Sequence, residues 1–573
     1  MLDTAAAPAA TPVAAPGPPP RTRRVWVWLR GVFAVLLPTA LAAAHATLYG
    51  RWEVDDAGIT FAYARSVATG AGPVLQPGQP PVEGYSDLAW LALLAVGRKL
   101  NLFDHGTWFG VPDYVAYPKA LALLLLAATF CAFLAAASAV SRHPATVTAL
   151  AGCACALIPS FVIWSVSGLE NALLAATVAA LAAVLVRQRE RLAAVLPALA
   201  CGLLAALAAL TRPEGVVYAA AYPLALLLVG RGWWRSLGAG ALSLVAFAVP
   251  FGAYLAYRLT TFGQWLPTTA VAKSQGLPTV AGFAKVDGLI GYAGWPVVLV
   301  GAVLVGAALS RSRSGWEEPG GVGRAVVLVL VPLALALVAF GILVPDWMEQ
   351  YRFATPVWTL APFAITLAAD EVMAGLRLRG RALVALLAAG AAAVSVAGFV
   401  PDVQTFRAAP TAPMCLIVTN TGREFNGYME ILGLAKATFF APEIGGAALT
   451  GRALLFDGGG LAEPTIARFW AAKNTAGIRD YVLDDVKPTF IRAHGSFRPF
   501  IGLDGDPRFQ RDYVEIGPTP NGGANWVRRD VVHDDATMAK LKAWGVTALA
   551  ADAAQRATPR ASCGDRLLVG PTT

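Results

Sequence analysis

The sequence is poor in charged residues, which make up 14% of its 573 positions, whereas hydrophobic residues make up 57%. Soluble domains carry about 25% charged residues, so this depletion excludes a soluble enzyme of this length. The apolar residues gather in Ala/Leu/Val runs, many of them near the roughly 20 residues that a helix needs to cross a bilayer. Inside lipid such runs form helices, because every backbone N–H and C=O must be satisfied within the segment. The composition therefore predicts a polytopic α-helical membrane protein.

Several sequence motifs are also absent. There is no P-loop and no nucleophile elbow, and the glycine-rich stretch 457–461 does not fit a dinucleotide fingerprint. The five histidines have no paired spacing, which disfavours a zinc site. We expect that no cofactor is required; a divalent metal is compatible with the sequence but not indicated by it.

Much of the net charge of +9 lies in short clusters between apolar runs, as the positive-inside rule describes. We therefore expect membrane lipid, and not nucleic acid, as a partner.

Six cysteines are few for this length. Cys131, Cys153, Cys155 and Cys201 lie in apolar runs, where cysteine behaves as a small buried hydrophobe. The remaining two, at positions 415 and 563, lie near the two ends of the polar C-terminal region. If that region is extracytoplasmic, a disulfide between them is one alternative and two free thiols are the other.

Eleven apolar segments are predicted to span the membrane, and they cover residues 31–48, 116–140, 146–163, 171–186, 192–210, 215–230, 235–257, 290–309, 324–343, 355–373 and 382–400. A basic cluster at 21–30 precedes the first segment and places the N-terminus in the cytoplasm. With eleven spans, the later basic clusters fall on the cytoplasmic side as well. The run 88–97 is too short to span and is expected to lie at the membrane interface.

This topology divides the chain into three parts. Residues 1–24 form a disordered cytoplasmic N-terminus, and residues 25–400 form the transmembrane domain with a long first outer loop at 49–115. Residues 401–573 are expected to form a soluble domain on the extracytoplasmic side of the cell membrane. Nearly all of the concentrated polar residues then share the outer face.

The C-terminal part has the pattern of an α/β domain. It contains strand-like runs at 415–420 and 453–456, together with an amphipathic helical stretch at 464–472. Its length of about 170 residues is sufficient for a hydrophobic core of its own.

Two adjacent carboxylates, Asp55 and Asp56, follow the first predicted span. Adjacent carboxylates at a bilayer surface repel each other and lose solvation, which raises the pKa of one of them toward that of a general base. The alternative is a solvated loop or a helix N-cap. Glu83 and Tyr85 come later in the same loop, where an acid beside an aromatic residue suits either a sugar site or an ordinary turn.

Further ionisable residues lie at the outer ends of the predicted spans, namely Glu170, Arg212, Glu214, Arg258, Lys273, Asp346 and Arg352. Ionisable groups at membrane depth are costly and by default mark functional sites, although groups at helix ends also extend to water. Four of the seven are cations on the face that the positive-inside rule disfavours for them. A bound phosphate explains these cations, because Arg donates bidentate hydrogen bonds to phosphate.

The polar motifs occur in a fixed order over most of residues 50–500. They are Asp55-Asp56 with Tyr63-Ala64-Arg65, Val82-Glu83-Gly84-Tyr85-Ser86, Ser167-Gly168-Leu169-Glu170, Leu210-Thr211-Arg212-Pro213-Glu214-Gly215, Phe262-Gly263 with Leu266-Pro267-Thr268-Thr269 and Lys273, Asp346-Trp347-Met348 with Tyr351-Arg352-Phe353, Asp457 with Gly460-Leu461 and Ile466-Ala467, and Pro488-Thr489-Phe490-Ile491. This order resembles the GT-C superfamily of glycosyltransferases, and within it the terminal arabinofuranosyltransferases of the actinobacterial cell wall. The sequence departs from that family in three places: Gly58 follows the acidic pair, Thr268 stands where Asn is usual, and Gly-Gly is missing before Asp346.

The resemblance implies an inverting transfer of a sugar from a polyprenyl-phosphate donor to a cell-envelope glycan such as arabinogalactan, with D-arabinofuranose as the first candidate. It implies a base among the acidic pair Asp55 and Asp56. The proposed phosphate-binding residues are Arg212, Arg258, Lys273 and Arg352, and the proposed sugar-binding residues are Glu83, Tyr85, Glu170, Glu214 and Asp346. The alternatives are the same fold with mannose or aminoarabinose, and a transporter or flippase of lipid-linked sugar, which should carry charges near the midplane.

Overall fold

The computed structural model describes residues 21–274, 280–312, 321–495, 497–520 and 522–570. The N-terminus that was predicted to be disordered, 1–24, lies outside the described residues except for its last four positions, which begin the first helix.

Helices build the chain up to residue 408. They are α1 Arg21–Thr47, α2 Asp55–Ala68, α3 Leu88–Lys99, α4 Asp113–Ala137, α5 Pro144–Leu157, α6 Pro159–Ser165, α7 Asn171–Arg187, α8 Val195–Thr211, α9 Ala221–Val229, α10 Trp233–Phe262, α11 Thr268–Ala272, α12 Val280–Ala293, α13 Trp295–Ser312, α14 Val322–Ile342, α15 Thr355–Ala374 and α16 Leu378–Ala408. Short 3-10 helices occur at Pro213–Ala220 and Arg352–Ala354, and a small hairpin pairs β1 Thr107–Trp108 with β2 Val111–Pro112.

Within the described chain, six helical segments are long and apolar enough to cross a membrane, and they lie in α1, α4, α10, α14, α15 and α16. Two bent pairs, α5 with α6 at 80° and α12 with α13 at 101°, raise the number to eight if each pair is one span. Helices α7 and α8 and the segment Pro213–Val229 are apolar but shorter. The chain is therefore a multi-pass membrane protein. Each of the eleven predicted segments coincides with one of these helices or pairs, whereas eleven as the number of spans stays a prediction.

The C-terminal region is an α/β unit, as the sequence predicted. Its helices are α17 Met414–Ile417, α18 Glu424–Ile431, α19 Gly445–Thr450, α20 Pro464–Ala471, α21 Thr475–Asp480, α22 Phe497–Phe500, α23 Pro507–Asp512 and α24 Asp535–Ala557, and its strands are β3 Thr438–Ala441, β4 Leu454–Asp457, β5 Phe490–Ala493, β6 Tyr513–Pro518 and β7 Ala524–Arg528. The strands form one sheet in the order β4-β3-β5-β7-β6, in which β3 is parallel to β4 and β5 and the other pairs are antiparallel.

Two local predictions for this region are confirmed and one is wrong. The run 453–456 lies in β4, and the stretch 464–472 contains α20. The run 415–420, predicted as a strand, is helical, because it forms α17 and the π-helical turn Val418–Arg423. Ile417 and Val418 of this run are buried, and the run packs against α2 and α19. This packing overrides strand propensity. The last apolar helix also continues to Ala408, past the division at residue 400.

Residues 49–115, which were predicted to form the first outer loop and keep that name here, hold α2 and α3 and dock onto the edge of the C-terminal sheet. The Gln76 side chain donates to the carbonyl of Ala453 (3.1 Å) and accepts from the Leu455 N–H (2.9 Å). Gln79 donates to the Leu455 carbonyl (2.8 Å). An edge strand exposes unpaired backbone groups, and these two glutamines satisfy part of that edge on β4.

Close backbone packing and a disulfide complete the connection between the two regions. A Cβ atom at Gly58 would lie 2.7 Å from the carbonyl carbon of Gly445, so glycine is needed where α2 meets α19. This contact gives a physical reason for the departure of Gly58 from the family pattern. A disulfide joins Cys415 to Cys563, whose Cα atoms are 4.9 Å apart.

Candidate active site

A small polar cavity of about 70 Å³ lies where the first outer loop meets the ends of the membrane helices. Its wall is formed by Asp56, Ile59, Thr60, Gly84, Tyr85, Ser86, Asp87, Leu169, Glu170, Arg212, Thr269, Lys273, Arg352 and Leu461. The three positions from α2 are spaced three and four residues apart, which puts them on one face of that helix. Leu461 comes from the C-terminal region, so that region completes the site. Of the eleven site residues proposed from the sequence, six line the cavity and five do not.

The two adjacent aspartates point in different directions. Because α2 begins at Asp55, successive side chains project about 100° apart around the helix. The buried Asp55 carboxyl accepts hydrogen bonds from the backbone N–H groups of Gly446 (2.7 Å) and Gly445 (3.1 Å). Burial raises the pKa of Asp55 to about 8, against the lowering effect of these two amides. Its carboxyl thus connects α2 to α19 and does not line the cavity.

Asp56 faces the cavity. Its side chain is 23% exposed, and one carboxylate oxygen lies 3.9 Å from Nη1 of Arg352. Desolvation raises the pKa of Asp56, Lys273 and Arg352 oppose that shift, and the nearby carboxylates of Asp346 and Glu170 add to it. A carboxylate with a raised pKa, beside cations and open to a cavity, suits a general base.

Two of the predicted cations in the wall are already paired with carboxylates. Arg212 is buried and forms ion pairs with Glu170, at 2.5 Å, and with Glu214. Arg352 is buried and lies 2.8 Å from a carboxylate oxygen of Asp346. Glu214 and Asp346 therefore hold the arginines from outside the cavity wall, whereas Glu170 is part of the wall.

The aromatic ring of Phe353 fixes these two arginines next to each other. The Arg212 guanidinium lies 4.6 Å from the centre of that ring, and the Arg352 guanidinium lies 4.9 Å from it. Both distances are in the range of cation–π contacts. The two positive charges are consequently held in place before any ligand arrives.

Lys273 differs from the arginines. It is exposed and lines the cavity directly after α11. Its ammonium group makes no hydrogen bond or ion pair to another described residue of the chain. Among the wall residues, Lys273 is therefore the cation most available to an anionic ligand.

Glu83 and Arg258 lie outside the cavity wall and hold each other. Nε and Nη2 of Arg258 donate to the two oxygens of Glu83 at 2.6 and 2.9 Å, and the Tyr254 hydroxyl donates to the same carboxylate at 2.5 Å. The Glu83 carbonyl accepts from the Thr268 N–H (3.1 Å). This cluster ties the first outer loop to the end of α10 and to the start of α11. It thereby connects the loop that carries Tyr85 to the helix that ends just before Lys273, and both residues line the cavity.

One acidic residue of the wall, Asp87, was not proposed from the sequence. It is buried, and its carboxyl accepts hydrogen bonds from the Thr60 hydroxyl at 3.1 and 3.2 Å. Burial raises the pKa of Asp87, and nearby Glu170 raises it further. The available signal was its position four residues after Glu83 and directly before an apolar helix. That position is typical of an N-cap, yet its side chain makes no cap hydrogen bond.

Metal-ligand clusters are missing from the described part of the chain: no three His, Cys, Asp or Glu side chains there could hold a metal ion together. Of the acids in the cavity wall, Asp56 and Glu170 each lie beside an arginine, and Asp87 accepts from a hydroxyl.

Solved structures provide the comparison that decides the fold. The oligosaccharyltransferase AglB of the archaeon Archaeoglobus fulgidus, in complex with an inhibitory peptide and a dolichol-phosphate, aligns over 90% of this chain and 75% of that chain, with a TM-score of 0.52 and 9% identity. The apo form of the A. fulgidus oligosaccharyltransferase aligns over 89% and 75%, with a TM-score of 0.50 and 10% identity. The chain has a GT-C fold.

A further structure of similar fold is the mycobacterial arabinofuranosyltransferase AftD, which aligns over 89% of this chain and 40% of that chain, with a TM-score of 0.48 and 14% identity. No protein-family model and no curated protein sequence matches this chain. In the GT-C fold of this chain, the cavity lies between the first outer loop and the helix ends, with Leu461 of the C-terminal region in its wall.

Proposed function

We propose that this chain is an inverting glycosyltransferase that moves a sugar, with D-arabinofuranose as first candidate, from a polyprenyl-phosphate donor to a cell-envelope glycan on the outer face of the membrane. The observation that carries the proposal is the cavity in which the Asp56 carboxylate faces Arg212, Lys273 and Arg352. The same cavity thus offers a carboxylate that can act as a base and cations that can bind a phosphate.

The GT-C fold supports a lipid-linked donor. The archaeal oligosaccharyltransferase of similar fold was solved with a dolichol-phosphate, which is a polyprenyl-type phosphate. A lipid donor requires an enzyme in the membrane, and the long apolar helices meet that requirement. The Cys415–Cys563 disulfide supports an oxidising, extracytoplasmic location for the C-terminal region.

The reaction follows from the arrangement of charges. An acceptor hydroxyl attacks the anomeric carbon of the donor sugar while the Asp56 carboxylate takes the hydroxyl proton. The new glycosidic C–O bond forms as the bond between the anomeric carbon and the phosphate oxygen breaks. The polyprenyl phosphate leaves with that electron pair, and Lys273, Arg212 and Arg352 stabilise its increased negative charge. A single displacement inverts the anomeric configuration.

The sugar would lie among the polar and aromatic groups of the same wall. Tyr85 offers a ring face, and Asp87 and Glu170 offer acceptors for sugar hydroxyls. Asp55, Glu83, Glu214, Arg258 and Asp346 act in this scheme as positioning residues, because their side chains hold other parts of the site.

The test supplies purified full-length protein with synthetic polyprenyl-phosphate arabinofuranose, mannose and aminoarabinose, each with an oligosaccharide acceptor. We expect glycosylated acceptor and free polyprenyl phosphate from one donor, with arabinofuranose first. Transfer from the mannose or the aminoarabinose donor alone would change the sugar in the proposal and leave the proposed reaction unchanged. Translocation of intact donor across proteoliposomes without any transfer would instead establish the flippase alternative and overturn the proposal.

A further inference from the structure

A second cavity, of about 260 Å³, lies on the first outer loop and shares no wall residue with the candidate active site. Its wall is formed by Arg65, Arg98, Asp104, His105, Arg566, Leu567, Leu568 and Val569. The proposed transfer reaction uses none of these residues. The wall thus combines three arginines with a single carboxylate.

The positive charges in this wall exceed the negative ones. Arg65 donates two hydrogen bonds to the Asp104 carboxylate, both at 2.7 Å, and Nη1 of Arg98 donates to the same carboxylate at 2.5 Å. The Arg566 side chain is exposed, and within the described chain it donates one hydrogen bond, from Nε to the His105 carbonyl (2.5 Å). The terminal nitrogens of Arg566 are therefore available to an anion.

The cavity adjoins the segment that connects the ends of two apolar helices. Helix α4, an apolar helix long enough to span, begins at Asp113, whose carboxylate accepts from the N–H groups of His105 and Gly106 at 2.7 Å each. Shortly after α1 ends, Nη2 of Arg51 donates to the Gly110 carbonyl (3.1 Å) of the small hairpin. The hairpin and residue 105 are thereby held where one span ends and the next begins.

Exposed apolar side chains occur in the wall of this basic cavity and at nearby positions of the sequence. The Phe109 side chain at the hairpin tip is fully exposed, at 106% of its reference area. Val96, Leu100, Leu568 and Val569 are also exposed, and the last two line the cavity. Clustered apolar side chains beside basic groups are typical of a surface that enters the interfacial region of a bilayer.

We propose that this cavity binds the phosphate headgroup of an anionic membrane phospholipid, while Phe109 and the neighbouring apolar side chains enter the interface. Basic groups at a membrane surface attract anionic lipid, and Arg566 offers a guanidinium that matches a phosphate. Residues 566–569 follow the Cys415–Cys563 disulfide closely. A bound lipid would therefore tie the C-terminal region to both the first outer loop and the membrane. This proposal does not depend on the reaction proposed above.

The test uses the full-length protein purified in micelles that contain equal phosphatidylglycerol and phosphatidylcholine, with bound lipid quantified by mass spectrometry. We expect the wild type to retain phosphatidylglycerol preferentially. Arg566→Gln should reduce that preference about fivefold, the effect of one basic residue near an anionic surface. Arg566→Lys should restore part of it, and Arg529→Gln, the same change at an exposed position of the C-terminal region, should leave it unchanged.

The wild type and Arg566→Gln should unfold at the same temperature in phosphatidylcholine alone, because Arg566 is exposed. Equal retention of the two lipids by the wild type would overturn the proposal, as would an unchanged preference in Arg566→Gln. Free inorganic phosphate that displaces the lipid at low millimolar concentration would assign the cavity to a soluble anion instead, which also contradicts it.

Discussion

The buried pair of Glu83 and Arg258 allows a sharp test of whether Glu83 positions the site or binds sugar. The side chains are 2% and 9% exposed, and both oxygens of Glu83 are engaged. Removing one partner of a buried ion pair leaves the other charge unpaired and costs about 3–5 kcal/mol. We therefore expect Glu83→Gln to reduce the free energy of unfolding by about that amount.

The assay is detergent-induced unfolding of purified protein, applied to Glu83→Gln, Arg258→Met and the double variant. The double variant removes both charges, so it should be more stable than the sum of the single changes predicts, with a coupling of about 0.5–3 kcal/mol. Glu515→Gln, which changes an exposed acid on β6, should alter stability by less than about 0.5 kcal/mol. Wild-type stability in Glu83→Gln, together with a raised KM for the donor, would refute the positioning role and return Glu83 to sugar binding.

Three further predictions concern the cavity. Asp55→Asn should retain transfer activity in the folded fraction but unfold about 1–3 kcal/mol more easily, because a backbone N–H of Gly445 or Gly446 loses its acceptor; complete inactivity at full stability would contradict this. Lys273→Met should lower kcat/KM for the lipid-phosphate donor about 10-fold or more, whereas the exposed Lys542→Met should not. Burial raises the pKa of Asp56, and a base must be deprotonated to act. We therefore expect kcat/KM to fall with decreasing pH, with a midpoint above the ordinary Asp pKa of about 4. A midpoint at or below that value would contradict the assignment of Asp56 as the base.

Much of the fold could be predicted from the sequence because hydrophobic length and charge asymmetry report directly on membrane helices. The α/β character of the C-terminal region followed from short patterns such as those of β4 and α20. The prediction for Cys415–Asn420 was wrong because the β-branched residues of this run favour a strand. Packing against α2 and α19 makes the run helical instead. Such tertiary effects leave no local signal.

Part of the candidate site was predicted from the sequence. The rest depends on the directions of side chains and on pairs of residues that are far apart in the sequence. The different roles of Asp55 and Asp56 follow from the residue at which α2 begins, and this start could not be fixed from the sequence. Glu83 and Arg258 pair across 175 positions, so their mutual neutralisation could not be predicted from either motif alone. Asp87 directly precedes an apolar helix, and this pattern does not distinguish a helix cap from an acid in a site.

The most direct test of the central claim is the initial rate of polyprenyl-phosphate release by Asp56→Asn and wild-type protein, with the accepted donor at saturation. General-base catalysis contributes about 10²–10⁴-fold, so Asp56→Asn should lose at least about 100-fold in rate while its unfolding temperature matches that of the wild type. A folded Asp56→Asn protein that transfers sugar at the wild-type rate would contradict the assignment of Asp56 as the base.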